Sequence, residues 1–224
     1  MMCLKHCACG AVTDHVLETA RERLEQGRAA VRQASDASVD DPEGELRSAL
    51  VAFRGAMDWL EAAGDDAGFE TAHDEMHEAG RQVRTRFGCW LDQENGGYLI
   101  TCPADLAHTR IGLSINAVSH RIECTVCDQE ISTCPHVKGR EYDGVTCYHR
   151  IMDLDVRSVD FVARPAHPDA RVIKQSVDIA DLVGTLGSEF EAGMAVSCDQ
   201  CLMECRGIRR PFDRPPAQPP NCVR

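Results

Sequence analysis

Residues 124–147 read CTVCDQEISTCPHVKGREYDGVTC, and the rest of the chain is best read outward from them. Cys124 and Cys127 stand two residues apart, six residues follow, and then come Cys134 and His136 with one residue between them. Cys147 lies ten residues further on, with His149 just beyond. A tight turn carrying two thiolate or imidazole donors wraps one edge of a metal ion, and two such turns complete the tetrahedron that Zn2+ prefers. The spacing predicts a zinc site on Cys124, Cys127, Cys134 and His136, with Cys147 and His149 as competing fourth ligands. Four protein donors leave no place for water, so the expected role is structural.

The flanks of this stretch read as strands. GYLITCP (97–103) suits a strand ended by Pro103, and RIGLSINAVSHRIEC (110–124) is a second β-like run. After the cysteines, Ile151, Leu154, Val156, Val159 and Phe161 recur near period two, as in half-buried strands, until Pro165 and Pro168 stop the pattern. IADLVGTLGSEFEAG (179–193) is expected to be a short helix interrupted by glycines. Residues 89–193 thus form a β domain, and 124–147 is a zinc-knuckle insertion that staples it.

Upstream the period changes from two to nearly four. Val12, Val16, Ala20, Leu24 and Val31 mark one amphipathic helix. The turn-forming run SDASVDDPEG (35–44) ends it. Leu46, Leu50, Phe53, Met57 and Leu60 mark a second helix, stopped near Gly64, and Phe69, Met76, Val83 and Phe87 mark a third. Residues 11–88 therefore read as an acidic three-helix bundle, and the fold class as α+β. His73 and His77 fall at i and i+4 on the third helix, in the order His-Asp-Glu-Met-His. That order is close to the HExxH zinc-protease motif, but Asp74 replaces its glutamate, so the two histidines read as core or edge residues.

Both chain ends are rich in cysteine. Residues 1–10 hold Cys3, Cys7 and Cys9, and the 194–224 arm holds Cys198, Cys201, Cys205 and Cys222. A second metal site is expected on Cys7, Cys9, Cys198 and Cys201, with Cys3, Cys205 and Cys222 as alternates. The arm beyond Cys205 concentrates proline and arginine, a composition for an extended segment able to touch nucleic acid. The formal net charge of −12 argues against nucleic-acid binding by the molecule as a whole. Thirteen cysteines, no secretory leader pattern and no long apolar run point to a reducing, cytoplasmic setting in which thiols bind metal rather than pair as disulfides.

Two separated motifs carry a family resemblance. RIGLSINA, followed by SVDFV (158–162) and PAHPDA (165–170), resembles the distal half of the tailed-phage prohead (capsid-maturation) serine proteases, over about residues 97–175. The resemblance implies an assemblin-like β domain and puts Ser114 at the nucleophile position. Asn116 stands where that family has a glycine, and the histidine-bearing strand it uses upstream is replaced by helices, leaving His73, His77 or His108 as the candidate bases. A serine hydroxyl without a base is a poor nucleophile at neutral pH. The expectation is a degenerate relative: a zinc-stabilised binding or assembly protein with a protein partner, acting in capsid maturation or in defence against phage. The alternatives are an active prohead-type protease using Ser114 and a zinc-organised nucleic-acid module using the C-terminal arm.

Overall fold

The computed structural model describes residues 9–205, 207 and 208, with side chains from His15 onward. The chain mixes helices with small sheets, as the α+β reading expected. It divides into two compact units: one is built from Leu113–Phe161, grouped with residues 9–12, and the other from Thr13–Gly112 and the described residues from Val162 onward.

Three helices supply the core of the second unit: α1 (Cys9–Ala34), α2 (Pro42–Ala63) and α3 (Asp66–Arg86). Their boundaries follow local chemistry. Asp41 accepts the Gly44 amide at 2.8 Å and Pro42 opens the first turn of α2, while Gly64 at φ 74° closes the same helix in the left-handed region that glycine enters without strain. Asp65 caps α3 in the same way through the Gly68 amide. Between these caps, Leu46, Leu50, Phe53, Met57, Phe69, Met76 and Val83 are buried on one shared core, joined by Ala20, Ala30 and Ala34 of α1. Removing side chains of this size from water contributes about 1.5–3 kcal/mol each. A Cβ on Gly27 would sit 2.5 Å from the Phe53 ring, so α1 approaches α2 closely because that position has no side chain.

After α3 come β1 (Asp92–Glu94), β2 (Gly97–Ile100) and a single helical turn α4 (Pro103–Leu106). Asn95 and Gly96, both at positive φ, make the tight β1–β2 turn. β7 (Gln175–Val177) completes an antiparallel three-stranded sheet in the order β1-β2-β7, with Tyr98 opposite Val177. Tyr98 is buried, donating its hydroxyl to the Met194 carbonyl at 2.7 Å and accepting the Gly193 amide at 2.8 Å. The following helix, α5 (Ile179–Leu186), is shorter than the expected 179–193, because Gly187 at φ 97° ends it.

The other unit consists of a long two-stranded ribbon, β3 (Gly112–Cys124) paired with β6 (His149–Val162), and the cysteine-rich segment between them. Within that segment β4 (Glu141–Tyr142) and β5 (Val145–Thr146) form a small hairpin about Asp143 and Gly144.

A buried ionic cluster ties the segment after the ribbon to α2. Arg110 lies 2.7 Å from both Asp58 and Glu61, and Arg171 donates to Glu61 at 2.6 Å and to the Ala163 carbonyl at 2.7 Å. Burial pushes the Asp58 carboxyl up, opposed by the surrounding Arg110, Arg54 and Arg171. Asp169 of the PAHPDA stretch takes both Arg23 nitrogens, at 2.8 and 2.7 Å, and the Trp59 indole at 2.9 Å.

Candidate metal centres

Two sets of side chains among the described residues bring their donor atoms within 4.8 Å of one another. The first is Cys124, Cys127, Cys134 and His136. Cys124 ends β3, and the chain then turns back, the Asp128 amide donating to the Cys124 carbonyl at 2.9 Å with Asp128 at φ 55°. A second turn, closed by Thr133 N–H to the Glu130 carbonyl at 3.0 Å, delivers Cys134 and His136. The Cys127 and Cys134 sulfurs are 3.5 Å apart, and His136 Nδ1 lies 3.4 Å from Cys134 Sγ and 3.7 Å from Cys124 Sγ. A tetrahedral zinc with Zn–S near 2.3 Å and Zn–N near 2.05 Å needs S–S edges of about 3.8 Å and S–N edges of about 3.6 Å. The observed edges match that cage to within a few tenths of an ångström.

The backbone is arranged for thiolates. The Val126 amide donates to Cys124 Sγ and the His136 amide to Cys134 Sγ, each at 3.3 Å. Burial opposes ionisation of Cys124, but the Val126 and Cys127 amides and the Cys134 and Cys147 thiols outweigh it and hold the group at about 6. Tyr142 packs its ring on His136 at 4.4 Å and accepts the Val137 amide at 2.9 Å, fixing the imidazole in place. Of the two alternates, Cys147 is buried with its sulfur 3.6 Å from Cys124 Sγ, making a fifth donor at the rim, whereas His149 is exposed and outside the set.

The second set is His73, His77, His108 and Cys205. One turn of α3 separates His73 from His77, and His108 follows α4. The three Nε2 atoms stand 3.0, 3.2 and 3.4 Å apart, and Cys205 Sγ is 3.2 Å from His108 Nε2 and 3.6 Å from His73 Nε2. Three imidazole nitrogens packed this tightly cannot all bond one another, since neutral rings offer one donor and one acceptor each. An ion at their centre would resolve the conflict, since a tetrahedral zinc needs N–N edges of about 3.3 Å. His108 Nδ1 lies 2.6 Å from the Ala104 carbonyl, which makes Nδ1 the protonated atom and leaves Nε2 as the free lone pair. Burial, with His73 and His108 alongside, holds His77 down at about 4, and burial with His108 alongside lowers His73. Neutral imidazoles at physiological pH are what a metal requires.

This second set differs from the one expected. His73 and His77 are buried, as core residues would be, yet they face donors rather than an apolar surround. Cys205, read as an alternate in a site with Cys7 and Cys9, joins the histidines instead. Cys3, Cys7 and Cys222 lie outside the described residues, as does the side chain of Cys9. Cys198 and Cys201 are found next to Cys89 and Cys102, two cysteines whose spacing carries no recognisable signal.

Ser114 sits on β3, half-buried, and its hydroxyl makes no side-chain hydrogen bond among the described residues. His120 is exposed near the other end of the same strand. His73, His77 and His108 are each occupied within their own cluster.

Compared with known proteins, the chain matches no family model, no curated protein and no solved structure. No helix among the described residues is long and apolar enough to cross a membrane.

Proposed function

We propose that the protein is a zinc-stapled binding component, in which both metal centres hold the scaffold and neither performs chemistry. The observation that carries this reading is the donor count. Each set supplies four protein ligands at tetrahedral spacing, which leaves no coordination position for water or substrate. The working surface on this reading is the β3–β6 ribbon, where Ile115, Val159 and Phe161 are 61%, 57% and 65% exposed. Apolar side chains on an uncovered ribbon suit contact with a protein partner. In finer terms the helices would form a three-helix bundle and the strands an assemblin-like domain. The likeness of RIGLSINA and SVDFV…PAHPDA to the prohead proteases suggests work in a phage-related setting inside the cell, with the ribbon used for binding rather than cleavage.

Cobalt substitution tests the donor count. The Co2+ protein should show intense tetrahedral absorption that does not change on adding azide. An azide-dependent shift would reveal an open position and sink the structural reading. Labelling of Ser114 by a fluorophosphonate probe, lost in Ser114→Ala, would instead establish the protease.

A further inference from the structure

The strand after α3, α4 and the 3-10 turn at Gln200–Leu202 converge on four further cysteines. Cys89 and Cys198 are placed side by side by backbone pairing: Trp90 bridges Ser197 in antiparallel register, the Cys198 amide donates to the Cys89 carbonyl at 2.8 Å, and the Leu91 amide donates to the Val196 carbonyl at 2.9 Å. From Cys198 the chain makes a tight turn, closed by the Leu202 amide on the Asp199 carbonyl at 2.9 Å, and this turn brings in Cys201. Cys102 stands at the start of α4, and α4 contacts the 3-10 turn that carries Cys201.

Two details mark these residues as built for a ligand. Cys201 is packed against α3 where a Cβ on Gly80 would come within 2.5 Å of its sulfur, so the helix is bare at the point where the thiol enters. Cys89, Cys102 and Cys198 line one cavity of about 400 Å3, which leaves room at the sulfurs. A disulfide would account for Cys102 and Cys201 alone. It would leave Cys89 and Cys198, brought together by the strand pairing, without a role.

We propose that Cys89, Cys102, Cys198 and Cys201 form a third metal site, a four-thiolate cage for a single zinc-class ion. One pair comes from a Cys-x2-Cys turn, the usual zinc-binding spacing, and the other from the two ends of the β1–β2 hairpin. These sulfurs are more widely spaced than the donors of the other sets, no three of them lying within 4.8 Å of one another. Binding draws them inward to S–S edges of about 3.8 Å. Each thiol that ligates releases its proton to solvent, and the ion takes the freed lone pairs. The site clamps the segment that carries Cys205, so it also holds in place the one ligand of the three-histidine set that comes from far along the chain. The proposal rests on residues separate from those two sets, and its failure would leave their metal count intact.

The test is metal content of the full-length chain by native mass spectrometry and elemental analysis, after expression with zinc. About three ions per chain are expected, falling by one in Cys89→Ser/Cys198→Ser with the other two retained. Full occupancy at about two ions in the folded wild type would overturn the site, as would an unchanged count in the double variant. Iron with a visible charge-transfer band would overturn the single-ion assignment in favour of a cluster. Should the double variant fail to fold, alkylation of the wild type decides: zinc protects all four thiols together until a chelator is added. Separate reaction of Cys89 and Cys198, or a Cys102–Cys201 disulfide in protein purified under reducing conditions, would refute it.

Discussion

At the residue scale, the metal sets make sharp claims about individual donors. Cys127 belongs to the compact four-donor set while Cys147 stands at its edge, so Cys127→Ser should release one ion per chain and Cys147→Ser should retain it, as read by elemental analysis. The reverse result would move Cys147 into the first coordination sphere. Cys205→Ser should weaken metal binding at the three-histidine set more than about 100-fold in competition with a chromophoric chelator, because a neutral hydroxyl replaces a thiolate. Acid should release both ions. Protons compete for the imidazole and thiolate lone pairs, so affinity falls as pH falls. His108 shows how little of this is visible along the chain: its role depends on the 2.6 Å contact of Nδ1 with the Ala104 carbonyl, a short-range bond, and on histidines from a helix more than thirty residues earlier.

At the element scale, helix boundaries and close approaches are the features a single substitution can probe. Asp41→Ala removes the side chain that caps α2 at Gly44 and should cost about 1 kcal/mol in urea unfolding. Gly27→Leu should cost more, about 1–3 kcal/mol, because the added atoms meet the Phe53 ring where α1 crosses α2. A Gly27→Leu variant as stable as the parent would show that α1 does not rest on α2 as described. Helices α1 to α3 were readable because their apolar spacing, caps and terminal glycine all agree. α4 and the four short strands β1, β4, β5 and β7 were not, since elements this short have too few positions to show a period. The end of α5 turned on one left-handed glycine, Gly187, within a run whose other glycines are tolerated.

At the scale of the whole molecule, an apolar helical core and buried charge hold the fold, and metal at the two candidate centres would add to them. Arg110 is 2% exposed and faces Asp58 and Glu61. Arg110→Met leaves those carboxylates short of a partner and should lower stability by about 3–5 kcal/mol, a loss that salt does not reproduce because the cluster is buried. A chelator at neutral pH should lower the melting temperature of the parent protein, and an unchanged melt would argue against any structural metal.

The two strands flanking the cysteines, the three helical periods and the Cys-x2-Cys pair before Cys-x-His could be read from the chain alone, because each signal is local and repeats every two to four residues. The half-burial expected of Ile151, Leu154, Val156, Val159 and Phe161 is not found, for all five are exposed on a two-stranded ribbon. The partners of His73, His77, Cys198 and Cys201 could not be read in this way. They come from segments roughly thirty to over a hundred positions apart, and only the packing of α3 against α4 and the C-terminal turn decides which donors meet. A metal ligand needs an angle and a distance at one point in space, and linear spacing carries that information only when all the ligands share a turn.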